Sequence, residues 1–213
     1  MLKLIYLARR KPGFSFDDFV RRWRLHGARG MQQSIWRHAL GYVQAEPIRP
    51  APIAGASDAF DAVAYLMLGD EAFAHRTELD AAESRAIAAD ELETFAAPIP
   101  TSSLWVDEER LRNGDLGGAT AFLFFADGAR AREVATRAGS ASGLSRIVLN
   151  ARRDDAPLGP GANTLPYQAI VELSACDIGT LAAAVGSVGS RLLAESDVAV
   201  VAREAVLWHR LPR

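Results

Sequence analysis

In the stretch FDDFVRRWRLHGARGM, residues 16–31, a tryptophan and a histidine stand three residues apart, one turn of a helix. An imidazole titrates near pH 6.5, so His26 can take or give a proton at neutral pH, and the Trp23 indole can serve as a flat apolar platform. Both residues also have plain structural readings. Trp23 reads as core. His26, followed by Gly27 in a left-handed C-cap, reads as the polar end of a helix, where a histidine suits the last carbonyls. Tyr42 falls on an expected strand; it either packs or turns its hydroxyl into an enclosed space, where it would stabilise an oxyanion. Arg22 and Arg29 either hold an anionic substrate or lie on a solvated face. Asp61 and Tyr65 share one strand parity with Val63 and Met67. If that parity faces inward, they are polar groups in an apolar pocket.

Other chemistries find little footing. A lone cysteine, Cys176, leaves no disulfide framework and no thiolate zinc site, and it suits a reducing cytoplasm. His38, His75 and His209 have no partners at ligand spacing, so no metal is expected. GSASG and GPGAN lack the context of a phosphate loop, and no G-x-S-x-G elbow occurs. The chain is 49% hydrophobic and 23% charged with net charge −2, which argues against a nucleic-acid partner and for a globular core. The opening MLKLIYLARRKPG is too short an apolar run for a signal peptide, is interrupted by Lys3, and has no small-residue cleavage site after it. Nothing approaches the roughly 20 apolar residues of a membrane span.

The elements that must position these side chains come in a repeated order. LKLIYLA is a strand closed by the turn RRKPG, and Ser15 then caps a helix with Phe16, Phe19, Val20 and Trp23 on one stripe. Strands follow near 38–46 and 59–69, joined by a Pro/Gly-rich loop. Residues 70–96 read as a second helix, broken once near Leu79, and TSSLWVDEE as a closing strand. After a linker at 110–118 the series recurs: TAFLFFA, GARAREVATRAG, LSRIVLNARR, YQAIVELSA, a helix over 177–195 capped by Asp177, and SDVAVVAREAVLWH. Two βαββαβ units are two ferredoxin-like plaits, 1–109 and 119–213.

The strand composition decides how the halves meet. A sheet with one wet face alternates apolar and polar residues. LKLIYLA, AVAYLML, AFLFF and AVV are apolar at both parities. Helices can hide one face, and only the sibling sheet can hide the other. The expected fold class is therefore α+β: a tandem ferredoxin-like chain closing into a single-chain α+β barrel with antiparallel sheets. Its assembly would be a monomeric pseudo-dimer or a homodimer.

The segment KLIYLARRKPGFSFDDFVRRWRLHGARG, then GYVQ, AFDAVAYLMLGDEAF and SSLWVDEE, resembles the EthD-like proteins of the dimeric α+β barrel group. The resemblance covers roughly residues 1–109 and places Trp23, His26 and Tyr42 at the family's Trp, His and strand tyrosine. This chain departs from the pattern at Leu25, where a second histidine often stands, and in reading His-Gly-Ala-Arg rather than His-Gly-Pro-Leu. The second half has EVATRAG where the Trp-and-His helix end should be, as a degenerate copy would. The lone cysteine and the opening segment point to a cytoplasmic protein, and the resemblance implies a cofactor-independent enzyme. It would work by proton transfer of the dehydratase, decarboxylase, isomerase or cyclase kind, or as a cofactor-free oxygenase, on a small, mostly apolar carbonyl or aromatic compound. His26 and Tyr42 would be catalytic, and Trp23, Asp61, Tyr65 and Arg29 would bind substrate. The alternatives are a non-catalytic module whose cavity holds a hydrophobic small molecule, and an accessory protein whose barrel is filled with side chains.

Overall fold

The computed structural model describes residues 1–33, 39–69, 81–154, 164–189 and 192–210. The first half runs β1 (Leu2–Ala8), α1 (Phe16–Gly30), β2 (Ala39–Pro47), β3 (Ala62–Leu68), α2 (Ala81–Leu92), a 3-10 turn (Ile99–Ser102) and β4 (Ser103–Arg112). The second runs β5 (Ala119–Phe125), α3 (Gly128–Ala138), β6 (Arg146–Arg152), β7 (Ala169–Ala175), α4 (Ile178–Val188) and β8 (Val198–His209). The eight strands close in the order β1-β3-β2-β8-β5-β7-β6-β4, every pairing antiparallel. The halves are stitched at two seams. At β2–β8, Gly41 stands opposite His209 and Pro47 opposite Ala202; at β4–β6, Val106 stands opposite Arg152. Closure removes the sheet edges that would otherwise pair with other chains.

Both parities of the strands are buried, for different reasons. Leu2, Leu4, Tyr6 and Ala8 of β1 face outward and pack with Phe19 and Trp23 of α1 and with Phe95. Ile5 and Leu7 face inward with Val63, Tyr65, Met67, Phe122, Phe124 and Val200. The second half repeats the outer layer, with α3 and α4 lying on β5, β6 and β7. Side chains fill the barrel. Among them is a buried polar network: Lys3 Nζ lies 2.7 Å from Glu172 and 2.5 Å from Glu108, and Arg146 lies 2.8 Å from Glu172 and also pairs with Glu204. Tyr65 donates to Glu204 at 2.8 Å and the Asn150 amide donates to Glu172 at 2.9 Å. Exposed Arg110 pairs with Glu108, so three cations meet three carboxylates. Such charges persist inside only when paired, because burying a lone one is costly.

Local signals mostly hold, with corrections. Ser15 accepts from the Asp18 N–H at 3.1 Å and Asp177 from the Thr180 N–H at 2.9 Å, as N-caps do. α1 does not stop at Gly27; it runs to Gly30. α4 ends at Val188, short of the expected 195, and Gly189 follows at φ +129°, a conformation that glycine tolerates best. β4 runs through Arg110–Arg112 and pairs with Ile147, so the strand-free connection is 113–118. In the second-helix region, α2 spans Ala81–Leu92; the expected break near Leu79 lies outside the described residues. The 3-10 turn at Ile99–Ser102, which starts just after Pro98, was not foreseen.

Candidate functional site

His26 lies inside α1 rather than at its end, and it faces α2. Its side chain is almost wholly buried, its ring edge-on to Phe95 with centroids 5.2 Å apart. Nδ1 lies 2.8 Å from Oδ2 of Asp90, in the last turn of α2. Asp90 also takes both arginines of the α1 face. Arg22 Nη2 donates to Oδ1 at 2.5 Å and Nη1 to Oδ2 at 3.3 Å; Arg29 Nη1 also donates to Oδ1. The Thr94 hydroxyl donates to the Asp90 carbonyl at 2.8 Å, which ties down the helix end.

The electrostatics follow from this geometry. Burial pushes the Asp90 carboxyl up, but the bonds from Arg22, His26 and Arg29 outweigh it and hold it at about 2. Burial lowers the His26 pKa, and the Asp90 bond only partly opposes it. At neutral pH the pair is an ionised carboxylate beside a neutral imidazole. Because the carboxylate can only accept, Nδ1 carries the ring proton and Nε2 keeps its lone pair. That is the tautomer of a general base, set by an orienting acid.

Asp90, Arg22 and Arg29 line a groove of about 520 Å³ between α1 and α2, together with Ala86, Ile87 and Ala89 and with Gln32, Gln33, Glu83 and Glu93. This volume suits a small organic ligand. The groove lies on the helical layer, outside the barrel.

The remaining candidates separate into other places. Trp23 and Tyr42 meet under α1 through Tyr6, which neither motif nor spacing had suggested: the indole N–H donates to the Tyr6 hydroxyl at 2.7 Å, and the two phenols are 2.9 Å apart. The Gln44 amide donates to Tyr42 at 2.9 Å and to the Trp23 carbonyl at 3.1 Å, its orientation set by Arg24, which donates to Oε1. Tyr42 therefore does not point into the barrel, because its parity of β2 faces α1. Burial drives both phenols up in pKa, Tyr6 well above the ordinary value. Tyr65 does face the lumen, but it is spent on Glu204 beneath Lys3, 4.7 Å above its ring. Asp61 is no polar group in an apolar pocket. It sits just before β3, accepting from the Arg10 N–H at 2.9 Å and from Arg49 at 2.8 Å.

Gly27 shows why α1 can lie so close. A Cβ there would stand 2.7 Å from Gln44 Nε2 and 3.1 Å from Tyr42 Cε1. The glycine expected as a left-handed cap is instead a point of contact between helix and sheet. Of the six expected site residues, the structure brings His26 and Arg29 together, through an acid that sequence reasoning missed. Asp90 is one of several acids in AAESRAIAADEL, and no local signal marks it. His38 and His75 lie outside the described residues, and His209 is exposed. Among the described residues no group of three His, Cys, Asp or Glu is placed to hold a metal ion, and no helix is long and apolar enough to cross a membrane.

No family model matches the chain, and no curated protein matches it either. Solved structures do share its fold. A Fusobacterium nucleatum protein provisionally assigned as a monooxygenase superposes with TM-score 0.53 at 11% identity, over 96% of this chain and 93% of that one. An anthrone oxidase-like protein gives 0.53 at 10%, over 99% and 94%. A protein provisionally assigned as a chlorite dismutase gives 0.54 at 11%, over 96% and 95%. At such identities the likeness is one of fold alone, an antiparallel α+β barrel closed within one chain.

Proposed function

We propose that this chain is a cofactor-independent enzyme that moves a proton on a small, mostly apolar carbonyl compound bound in the α1–α2 groove. The observation that carries the reading is the His26–Asp90 pair. A neutral imidazole, its tautomer set by an ionised acid, stands behind Asp90, which lines the groove. Nε2 of His26 takes a proton from the carbon next to the carbonyl and returns it to the product, while Asp90 holds the ring and offsets the imidazolium charge. Arg29, at the rim, binds and orients the substrate. Residues 1–109 are read as an EthD-like half and 119–213 as its diverged copy, which closes the barrel and lacks the Trp-and-His helix end. The fold it shares with proteins assigned as monooxygenase and anthrone oxidase-like is in keeping with small-molecule chemistry.

The test follows exchange of the α-hydrogens of aryl ketones such as phenylacetone for deuterium, by NMR. The wild-type protein is expected to accelerate exchange, and His26→Gln to lose at least about 100-fold of that rate while ligand-induced thermal stabilisation survives. No acceleration across the panel, or equal rates in both proteins, would overturn the reading. A second reading, a non-catalytic accessory protein, is favoured by one observation: the barrel is packed with side chains and salt bridges rather than hollow.

A further inference from the structure

Building on the groove as the site, we infer that its ligand carries a carboxylate, held by Arg29 at the Asp90 end with the apolar body lying along α2. The charge balance there is uneven. Arg22 and Arg29 bring two positive charges, Asp90 one negative, and His26 none, so +2 − 1 leaves +1. Three other acids stand nearby: Glu91, its carboxyl pushed up to about 7 by burial, carries only part of a charge at neutral pH, and Glu83 and Glu93 line the groove. Glu93 pairs with Lys11 at 3.1 Å. Glu83 lies seven residues back along α2, which at 1.5 Å per residue is about 10 Å away.

The two arginines also differ in what they have left to give. Arg22 spends both terminal nitrogens on Asp90 and is mostly buried. Arg29 spends only Nη1, and its Nε and Nη2 donate to nothing among the described residues. Its side chain is 62% exposed, on the groove wall. Nε and Nη2 form one edge of the guanidinium plane, the edge that takes a carboxylate through two parallel bonds. Asp90 meanwhile pins the other side, so little conformational freedom is lost when the anion arrives. Beyond the arginine, Ala86, Ile87 and Ala89 give the apolar body of the ligand a surface to lie on, and Gln32 and Gln33 line the same groove. A neutral ligand would leave the fork hydrated and unused, and a dianion would exceed the single net charge.

The experiment compares 3-phenylpropanoate with 3-phenylpropanamide, equal in shape and different in charge, by titration calorimetry at low salt. The wild-type protein is expected to bind the carboxylate about 10-fold more tightly, a charge-assisted pair discounted for the exposure of Arg29. Arg29→Gln should abolish that preference and Arg29→Lys should keep part of it, while added salt should weaken only the carboxylate. Equal affinities in the wild type, a preference that survives Arg29→Gln, or no binding of either probe would overturn the inference. His26→Gln should leave the preference intact, so failure of the proton-transfer reading and failure of carboxylate recognition register in different assays.

Discussion

Glu91 makes the most exacting test of the electrostatics around the groove. It follows Asp90 in α2, is half-buried, and accepts the Ile99 N–H at 3.1 Å, but no cation pairs with it among the described residues. Burial pushes its carboxyl from 4.5 up to about 7; the Ile99 bond opposes this and the Asp90 charge reinforces it. Because the folded-state value is raised, stability is full below pH 4.5, where both states hold the proton. As pH rises the unfolded chain ionises first, so stability drains away until about pH 7 and stays low above it. From 4.5 to about 7, at about 1.4 kcal/mol per pH unit, the loss is about 3 kcal/mol. Glu91→Gln keeps an acceptor for Ile99 and removes the charge. Urea titrations should find the variant close to the wild type at pH 4.5 and about 2–3 kcal/mol more stable at pH 8, or about 5–10 °C in Tm for a chain of this length. A stability difference that stays constant across that pH range would show that Glu91 is not a desolvated acid, and the reasoning would fall with it.

Two further substitutions probe the frame that holds the site. Gly27→Ala puts a methyl group 2.7 Å from Gln44 Nε2 and 3.2 Å from Leu207 Cδ1; it should cost about 1–3 kcal/mol in chemical denaturation, and a neutral outcome would mean that α1 can lift from β2 at no expense. Glu172→Gln leaves Lys3 and Arg146 short of one shared carboxylate inside the barrel; a loss of about 3 kcal/mol is expected, and an unchanged urea midpoint would refute the account of the lumen as a charge-matched core.

Much of the architecture was readable in the residues themselves. Strands such as LKLIYLA, apolar at both parities, demanded cover on two sides, and the barrel supplies it. Ser15 and Asp177 marked helix starts because a side-chain oxygen before an amphipathic run has an obvious N–H to accept from. The site was less readable. Trp23 and His26 share a helix face, but the imidazole's partner comes 64 residues later, from a helix with several similar acids. Tyr42 and Tyr65 looked alike as strand tyrosines, yet one faces α1 and the other the lumen, because a one-residue difference in parity exchanges the two sides of a sheet.

Apolar periodicity, caps and turn residues act over a few positions, so the chain on its own determined its elements, their order and the need for a closed double layer. Closure determined the rest. The register at the β2–β8 and β4–β6 seams sets Lys3 against Glu172 across 169 residues, and the packing of α1 on α2 sets Asp90 beneath His26. Those contacts join charges distant in sequence, and only the three-dimensional arrangement gives each a partner worth its desolvation.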